Sequence, residues 1–297
     1  MGSVKRFIKK NGTGYAFLLP FFLLFFLFIV VPVLIAFYLS LTNYNMLEAP
    51  SFTFFTNYKL LFLDDDEFLI ALKNTFIFSC ISGPVTFFMS FFMAWIINQV
   101  KFRNLYSLAF YAPSITSGVA LSVVWLYFFS SDSYGLINNA LMQIGLIDTP
   151  VKWNLDEKTI LPVIIFISIW MGMGTGFLTF LAGLQNMDRE LYEAASVDGV
   201  KNRFQELYTI TLPLMKPQLL FGAINAIVNS FAVFDIAVSF AGMPSPNYAA
   251  HTLVAHLYDY AFIRFEMGYA SAVAVVLFVI TFVLGRLVMR IFSSKDM

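Results

Sequence analysis

The sequence predicts an all-α protein that crosses a lipid bilayer several times. Of its 297 residues, 59% are hydrophobic and only 12% are charged, whereas a soluble domain carries roughly a quarter charged residues. Burying this much apolar surface in a soluble core would leave too few polar residues to cover it. The apolar residues also fall into long, almost uncharged runs, which is typical of polytopic membrane proteins.

Six of these runs are long enough to span a membrane. A bilayer core of about 30 Å requires about 20 apolar residues in a helix. The six stretches lie near 15–41, 68–98, 105–130, 159–184, 217–241 and 266–292. We therefore expect six transmembrane helices.

The first stretch could be mistaken for a secretory signal. Four cations precede it, at Lys5, Arg6, Lys9 and Lys10. However, the apolar run from Tyr15 to Leu41 is too long for a signal sequence, and no small-residue cleavage site closes it. We expect a short cytoplasmic segment at 1–14, followed by a single transmembrane domain at 15–297.

The distribution of lysine and arginine predicts the orientation. Thirteen of the 18 basic residues lie at the N-terminus, in the loops 99–104 and 185–216, and at the C-terminal end. Basic residues are enriched in cytoplasmic loops. We therefore predict a multi-pass protein of a bacterial inner (cytoplasmic) membrane with both termini in the cytoplasm, which requires an even number of spans.

Several functional classes are disfavoured by what the sequence lacks. The formal net charge of zero gives no general attraction to nucleic acid. No Walker A phosphate-binding pattern is present, so we expect ATP hydrolysis to reside on a separate subunit. No paired Asp, His with Glu, or Ser with His occurs at membrane depth, which argues against a membrane-embedded enzyme. We predict no cofactor.

Two clusters outside the apolar stretches could hold a cation. The acidic run 64–67 is better explained as the solvated start of a helix, where carboxylates suit the helix dipole. His251 and His256 are five residues apart, so on one helix they would point about 140° apart, a poor geometry for a shared metal. No metal site is predicted. A stripe of Leu136, Ile137, Ala140, Leu141 and Ile144 predicts a short helix on the membrane surface or against a partner.

Glycines alternate in the fourth stretch, at Gly172, Gly174 and Gly176. A phosphate site there would lack water and a lysine. Close helix packing, or a backbone that faces a pathway, is the better explanation.

The longest cytoplasmic loop, 185–216, is the most informative segment. Asp188 can cap a short helix, and Gly199 permits the turn that ends it. A second amphipathic helix follows, with Phe204, Leu207 and Tyr208 expected on one face. Pro213 and Pro217 then restart the chain into the fifth span. The loop should form a compact helix–turn–helix on the cytoplasmic surface.

This loop strongly resembles the EAA loop of ATP-binding-cassette (ABC) importer permeases, whose pattern is E-A-A, three residues, G, a spacer, then I-x-L-P. The matching residues are Glu193, Ala194, Ala195, Gly199, Ile210, Leu212 and Pro213, and Asp198 adjoins the glycine. The spacer of ten residues is one longer than the commonest form. The order of spans is similar to that of the carbohydrate-uptake, maltose-permease-like branch, and Ala241-Gly242-Met243-Pro244 resembles that branch's Gly-Gly-Pro segment.

The resemblance implies a type I ABC importer transmembrane domain that acts without covalent chemistry. It also implies a second, homologous permease subunit to complete a heterodimer, and an ABC ATPase dimer that receives the EAA loop on the cytoplasmic side. A periplasmic or extracellular solute-binding protein would deliver the substrate, a sugar or oligosaccharide.

Polar residues inside the spans are candidates for the substrate pathway, because such residues usually face an interior or a cavity. In the resembled family the span after the EAA loop lines the sugar site, and alignment on Pro217 places Asn225 and Asn229 at matching depth. The further candidates are Asp235, Ser168, Met171, Gly172 and, in the third span, Tyr111. The competing explanation is that asparagines join helices to one another, and that Asp235 pairs with the partner permease.

Two alternatives to a sugar importer stay open on the sequence. The same architecture could import another solute such as glycerol phosphate, although basic residues facing the pathway would then be expected and none is evident in the spans. A stand-alone secondary transporter would act without ATP. No internal repeat of the kind found in many secondary transporters is evident.

Overall fold

The computed structural model describes residues 2–293, with side chains described from 13 to 292. Within this range, five helices are long and apolar enough to cross a membrane, and a bent helix pair brings the number to six when it counts as one crossing. The described strands are limited to one short antiparallel pair. The predicted all-α, six-helix membrane fold is confirmed.

The helices are numbered in chain order. They are α1 (Gly2–Phe25), α2 (Val31–Leu39), α3 (Thr56–Lys59), α4 (Asp66–Asn98), α5 (Arg103–Ile115), α6 (Gly118–Phe128), α7 (Leu136–Gln143), α8 (Glu157–Gln185), α9 (Arg189–Val197), α10 (Arg203–Glu206), α11 (Leu212–Leu214), α12 (Lys216–Phe231), α13 (Asp235–Ala241), α14 (Leu253–Tyr258) and α15 (Met267–Ser293). π-Helical turns lie at Phe26–Val30, Leu60–Asp64, Leu207–Thr211 and Asp259–Ile263, and a 3₁₀ turn at Pro246–Tyr248.

The chain forms two compact units, the first made of residues 1–64 and 257–276. In this unit, α1, a π-turn and α2 form one long apolar helix. The strands β1 (Thr42–Asn43) and β2 (Ser51–Phe52) follow, with Thr42 opposite Phe52. The Asn57 amide donates to the carbonyl oxygens of Ser40 at 2.9 Å and of Thr42 at 2.8 Å. This buried side chain therefore fixes the turn between α2 and β1.

Gly268 lies against the same turn. Its N–H donates to the Tyr44 carbonyl at 3.0 Å, and a Cβ at this position would overlap the carbonyl oxygen of Thr42. Since that obstacle is backbone, it cannot rotate away. We expect Gly268→Ala to lower the free energy of unfolding by about 1–3 kcal/mol, measured by thermal unfolding in detergent.

Gly14→Ala is the matched control for this change, because nothing lies within 4 Å of a Cβ at Gly14. A similar loss of stability in both variants would contradict the packing described for Gly268.

The second unit comprises residues 65–256 and 277–297, and it is built around α8. One buried cluster joins the first half of α8 to α13, with Ile160, Ile164, Val233, Ile236 and Phe240 among its members. A second cluster joins the other half of α8 to α4, α12 and the π-turn at 207–211. Thirteen residues of α8 are buried, so this helix organises the unit.

The third and fifth predicted spans are each interrupted. α5 and α6 are bent by 95° relative to each other, because the chain becomes extended at Thr116 (φ −81°, ψ 143°) and Ser117 (φ −53°, ψ 125°). α12 and α13 are separated at Phe234, where φ is −141° and ψ is −65°. Both breaks differ from the continuous stretches expected at 105–130 and 217–241.

The loop between α6 and α8 is held by Asn138, which is fully buried. Its amide nitrogen donates to the carbonyls of Ser130, Asp132 and Val151, and its oxygen accepts from Trp153 Nε1 at 2.9 Å. The predicted short helix is present as α7. Hydrogen bonds from the Ser130 hydroxyl and from the N–H groups of Gly135 and Tyr134 lower the pKa of the Asp132 carboxyl.

The acidic run before α4 acts as a helix start. The Asp65 side chain accepts from the N–H of Phe68 at 2.8 Å, and Glu67 accepts from the Tyr248 hydroxyl at 2.6 Å. No group of three or more candidate ligands is positioned to hold a metal ion among the described residues.

The two histidines are adjacent, contrary to the expectation that they point apart. His251 Nε2 lies 3.3 Å from His256 Nδ1, and His256 Nε2 lies 3.3 Å from Asp65 Oδ2. The physical reason is that His251 precedes α14 and does not share its helical geometry.

Candidate functional site

A cavity of 420 Å³ lies in the second unit. Its wall is formed by α4, α8 and α12 and by the residues at the two breaks, between α5 and α6 and between α12 and α13. Six of the seven predicted pathway residues line it. They are Asn225, Asn229, Asp235, Ser168, Met171 and Gly172. Three of these residues lie in the middle of α8, two lie in the second half of α12, and Asp235 follows the break before α13. All six fall well inside the predicted spans 159–184 and 217–241, so the cavity lies at the depth of the predicted membrane core.

Tyr111 is the predicted pathway residue that the structure does not bring to the cavity wall. Its ring lies beside Gly174, where an added Cβ would be 3.3 Å from Tyr111 Cδ2. The physical reason is that α5 packs against α8 at this point, and the missing side chain of Gly174 leaves room for the ring. The neighbouring Pro113 and Ser114 line the cavity instead.

A stripe on α4 forms a wall that was not predicted from the sequence. Phe78, Ser82, Thr86 and Ser90 all line the cavity. They are spaced four residues apart, so they share one helix face. The regular recurrence of hydroxyl side chains at i, i+4 and i+8 was the signal in the sequence that could have identified this face.

The polar atoms of the wall are mostly amides and hydroxyls. Asn225 Nδ2 donates to the Phe221 carbonyl at 3.0 Å, which leaves its carbonyl oxygen for another donor. The Oγ atoms of Ser82 and Ser168 are buried without a hydrogen-bond partner among the described residues. Buried polar groups normally have partners, so these hydroxyls are suited to a polar ligand.

Aromatic rings provide the apolar part of the wall. Phe78, Phe87, Phe180 and Phe234 line the cavity, and the rings of Phe87 and Phe180 meet edge to face at 5.4 Å. Flat apolar faces beside amides and hydroxyls are the combination that binds a saccharide.

Glycines bring the helices close together around the cavity. A Cβ on Gly174 would overlap the side chain of Ser114, and one on Gly222 would overlap the ring of Phe180. Gly172 and Gly176 line the cavity, with the side chains of Thr86 and Ser90 close by. The glycine repeat therefore serves both of the roles expected for it, close packing and a backbone that faces the cavity.

The predicted coupling loop begins with α9, which has no buried residue. Asp188 caps the helix by accepting from the Glu190 N–H at 3.1 Å. Glu193 and Ala194 are exposed and Ala195 is half-buried. The E-A-A segment thus presents one carboxylate and two small side chains on an uncovered helix.

A defined turn follows the helix. The N–H of Asp198 donates to Ala194, and that of Val200 donates to Ala195 at 3.0 Å. Gly199 has φ +95°, a conformation that favours glycine. Asn202 then caps α10 by accepting from the Gln205 N–H at 2.7 Å. The predicted helix, glycine turn and second helix are all present.

The second half of the loop is anchored in the core of the unit. Leu207 and Met215 are buried with α4 and α8 residues, and the partly buried Leu212 packs against them. The Tyr192 hydroxyl lies 3.0 Å from Thr211 Oγ1, which joins α9 to the π-turn. Ile210 is half-buried and Pro213 lies in the first turn of α11. The loop is therefore packed against the helices that precede and follow it.

The expected amphipathic face of the second helix is wrong in one respect. Leu207 is buried, whereas Phe204 and Tyr208 are 65% and 73% exposed. The cause is that α10 passes into a π-turn at Leu207, with Leu207 directed into the core. Val197 is also exposed. Phe204 also contacts the ring of Trp95, with 5.5 Å between the ring centroids.

A family model described as "binding-protein-dependent transport system inner membrane component" matches residues 86–295. This range contains the coupling loop, most of the cavity wall and four of the six predicted spans. It covers more than two thirds of the chain.

Curated relatives match along almost the whole chain. The probable ABC transporter permease protein YesP of Bacillus subtilis is 35% identical, over 97% of this chain and 92% of that protein. The arabinooligosaccharides transport system permease protein AraP of Bacillus subtilis is 31% identical, over 97% and 91%. The lactose transport system permease protein LacF of Rhizobium radiobacter is 33% identical, over 96% and 95%.

Two solved structures of ABC transporters have the same fold along almost the whole chain. A chain of a bacterial ABC transporter that imports the acidic polysaccharide alginate aligns over 99% of this chain and 100% of its own length, with a TM-score of 0.83 and 24% identity. A chain of a bacterial alginate ABC transporter in complex with an alginate pentasaccharide-bound periplasmic protein aligns over 95% and 94%, with a TM-score of 0.79 and 26% identity. The family match over residues 86–295 and the relatives that are 31% to 35% identical show that the chain belongs to the family of binding-protein-dependent transport system inner membrane components.

Proposed function

We propose that this chain forms half of the translocation pathway of an ATP-driven importer for a sugar or oligosaccharide. The observation that carries the proposal is the cavity, whose wall combines two amides, several hydroxyls and four phenylalanine rings. Hydroxyl-rich solutes need many hydrogen-bond partners and a flat apolar surface. The relatives named for arabinooligosaccharides and lactose support the same substrate class.

A phosphate ester such as glycerol phosphate fits the cavity less well. Its recognition calls for arginine or lysine, and neither is among the described residues of the wall. A stand-alone secondary transporter is disfavoured by membership of a binding-protein-dependent family.

The remaining components follow from the family and from the exposed surfaces. A second, homologous permease would complete the pathway as a heterodimer. An ABC ATPase dimer would receive α9 and the exposed side chains around Phe204 and Tyr208. A periplasmic or extracellular solute-binding protein would deliver the sugar, and the alginate transporter was solved in complex with a pentasaccharide-bound periplasmic protein.

ATP would then drive alternating access through the loop. We propose that Glu193, Ala194, Ala195, Asp198 and Gly199 form the surface that the ATPase moves. Ile210, Leu212 and Pro213 would pass that movement to α12, whose residues line the cavity. Because the loop is anchored in the packed core, the motion is a rigid-body switch. The permease itself would perform no catalysis, and ATP hydrolysis would take place on the ATPase subunit. The basic loop lies in the cytoplasm in this arrangement, with both termini on the same side.

Removing the amides tests the pathway. In the complete importer reconstituted in proteoliposomes, Asn225→Ala and Asn229→Ala are each expected to raise the KM for sugar uptake about fivefold to tenfold, because each removes a hydrogen bond to the sugar. The readout is initial uptake at a series of sugar concentrations.

Asn104→Ala supplies the matched control. Asn104 is exposed on α5 and lies outside the cavity wall, so uptake should be unchanged. If Asn225→Ala and Asn229→Ala both retain wild-type kinetics, the two asparagines join helices and do not face the substrate.

A further inference from the structure

The cavity wall has an uneven distribution of charge. Its polar side chains are hydroxyls and amides, with one carboxylate at Asp235 and no lysine, arginine or histidine among the described wall residues. A bound solute would therefore meet a negative charge without a compensating cation on this half of the pathway. The wall is suited to hydrogen bonding but unsuited to an anion.

Asp235 lies where the fifth predicted span resumes after its break. It is the first residue of α13, directly after the break at Phe234. The break therefore places a carboxylate on the cavity wall.

The Asp235 side chain is accessible from the cavity. The residue is exposed and lies on the wall, whereas its neighbours Ile236 and Ala237 are buried in the core. The Ser82 hydroxyl, on a residue only 4% exposed, lies on the same wall without a partner among the described residues. A carboxylate that accepts hydrogen bonds, on the same wall as a hydroxyl that makes none within the described residues, is suited to bind the hydroxyl groups of a neutral sugar.

We propose that Asp235 is a charge selector that restricts this pathway to saccharides without carboxylate or other anionic groups. This inference rests on the proposed sugar-import function and specifies the substrate class of the same cavity. A uronic acid placed in the cavity would bring a second negative charge close to Asp235 in a medium less polar than water. Such juxtaposed like charges disfavour binding by more than tenfold.

The test uses the purified importer complex without its binding protein, which removes the binding protein's own selectivity. Binding is measured by saturation-transfer NMR, which detects weak ligands, for three matched pairs of disaccharides. Each pair consists of two separate ligands, a neutral disaccharide of the gluco, galacto or manno series and the corresponding diuronate. Wild type, Asp235→Asn and Asp235→Glu are compared.

In at least one pair, wild type should prefer the neutral member about tenfold or more. Asp235→Asn, which is nearly isosteric, should reduce that preference to about threefold or less, while Asp235→Glu should retain it. An unchanged preference in Asp235→Asn would overturn the selector. A loss of preference in Asp235→Glu as well would also overturn it, because the effect would then follow structural damage and not charge.

Failure of the proposed function gives a different result. If the complete wild-type importer accumulates none of the neutral sugars and also binds none of them, sugar import fails and the selector fails with it. If wild type takes up a neutral sugar but Asp235→Asn discriminates as wild type does, only the selector is overturned.

Discussion

Charge reversal at Glu193 is expected to reduce ATP-driven uptake to about 1% of wild type or less, while the permease stays folded in the membrane. Glu193 is exposed on α9, a helix without buried residues, so Glu193→Lys leaves the core intact. We propose that the Glu193 carboxylate meets a basic surface of the ATPase, where the lysine would create a pair of like charges that costs several kcal/mol, or more than about a hundredfold in affinity. The measurements are sugar uptake in proteoliposomes and thermal unfolding of the purified permease.

Glu48→Lys is the control for this prediction. It makes the same change of charge on an exposed glutamate between β1 and β2, in a loop predicted to lie on the outer side. Its uptake should remain close to wild type. Normal uptake by Glu193→Lys would show that α9 is not the coupling surface.

The second large effect is expected for Gly174→Leu. A Cβ at Gly174 would overlap the Ser114 hydroxyl and lie 2.6 Å from Ser114 Cβ, with Tyr111 also close by. Because a Cβ is fixed by the backbone, α5 and α8 would have to separate. We expect a loss of about 3 kcal/mol or more, above the usual range for overpacking because two helices must move apart, and little or no folded protein in the membrane. Folded yield is measured by gel filtration in detergent.

Gly285→Leu is the control that distinguishes an effect on helix packing from a general effect of replacing a glycine in a transmembrane helix by leucine. Nothing lies within 4 Å of a Cβ at Gly285, so this variant should yield folded protein in near-normal amounts. If Gly174→Leu folds as well as Gly285→Leu does, the result would contradict the close packing of α5 against α8.

Much of the fold was predictable because lipid places simple demands on a sequence. An apolar stretch that faces lipid can satisfy its backbone hydrogen bonds only within a helix, and the stretch 68–98 appears as α4 (Asp66–Asn98). The coupling loop was predictable for a different reason. Gly199 and the capping residues Asp188 and Asn202 act locally, so their effects depend little on the rest of the chain.

The breaks in the third and fifth spans were not predictable in the same way. Hydropathy gives the length of an apolar stretch but not its direction, and the helices on the two sides of the 95° bend pass for one span when taken together. The same limit explains the histidine pair, since the position of His251 before α14 is set by tertiary contacts.

The cavity was predictable in part. Asn225, Asn229 and Asp235 stand out because such side chains are costly in a membrane. Ser82, Thr86 and Ser90 do not stand out in the sequence, because a serine or threonine hydroxyl can donate a hydrogen bond to a backbone carbonyl of its own helix. Ser122 does so with the Gly118 carbonyl at 2.8 Å. Only the four-residue spacing indicated that the stripe on α4 has a common face.

The central claim is that this chain is half of a sugar pathway driven by a separate ATPase. The most direct measurement is the ATPase activity of the complex purified through a tag on this chain, with and without the sugar-loaded binding protein. We predict that an ABC ATPase and a second permease co-purify, and that the loaded binding protein stimulates ATP hydrolysis at least several-fold in wild type but not in Glu193→Lys. Purification of the chain without any ATPase, together with sugar uptake that does not require ATP, would contradict the account.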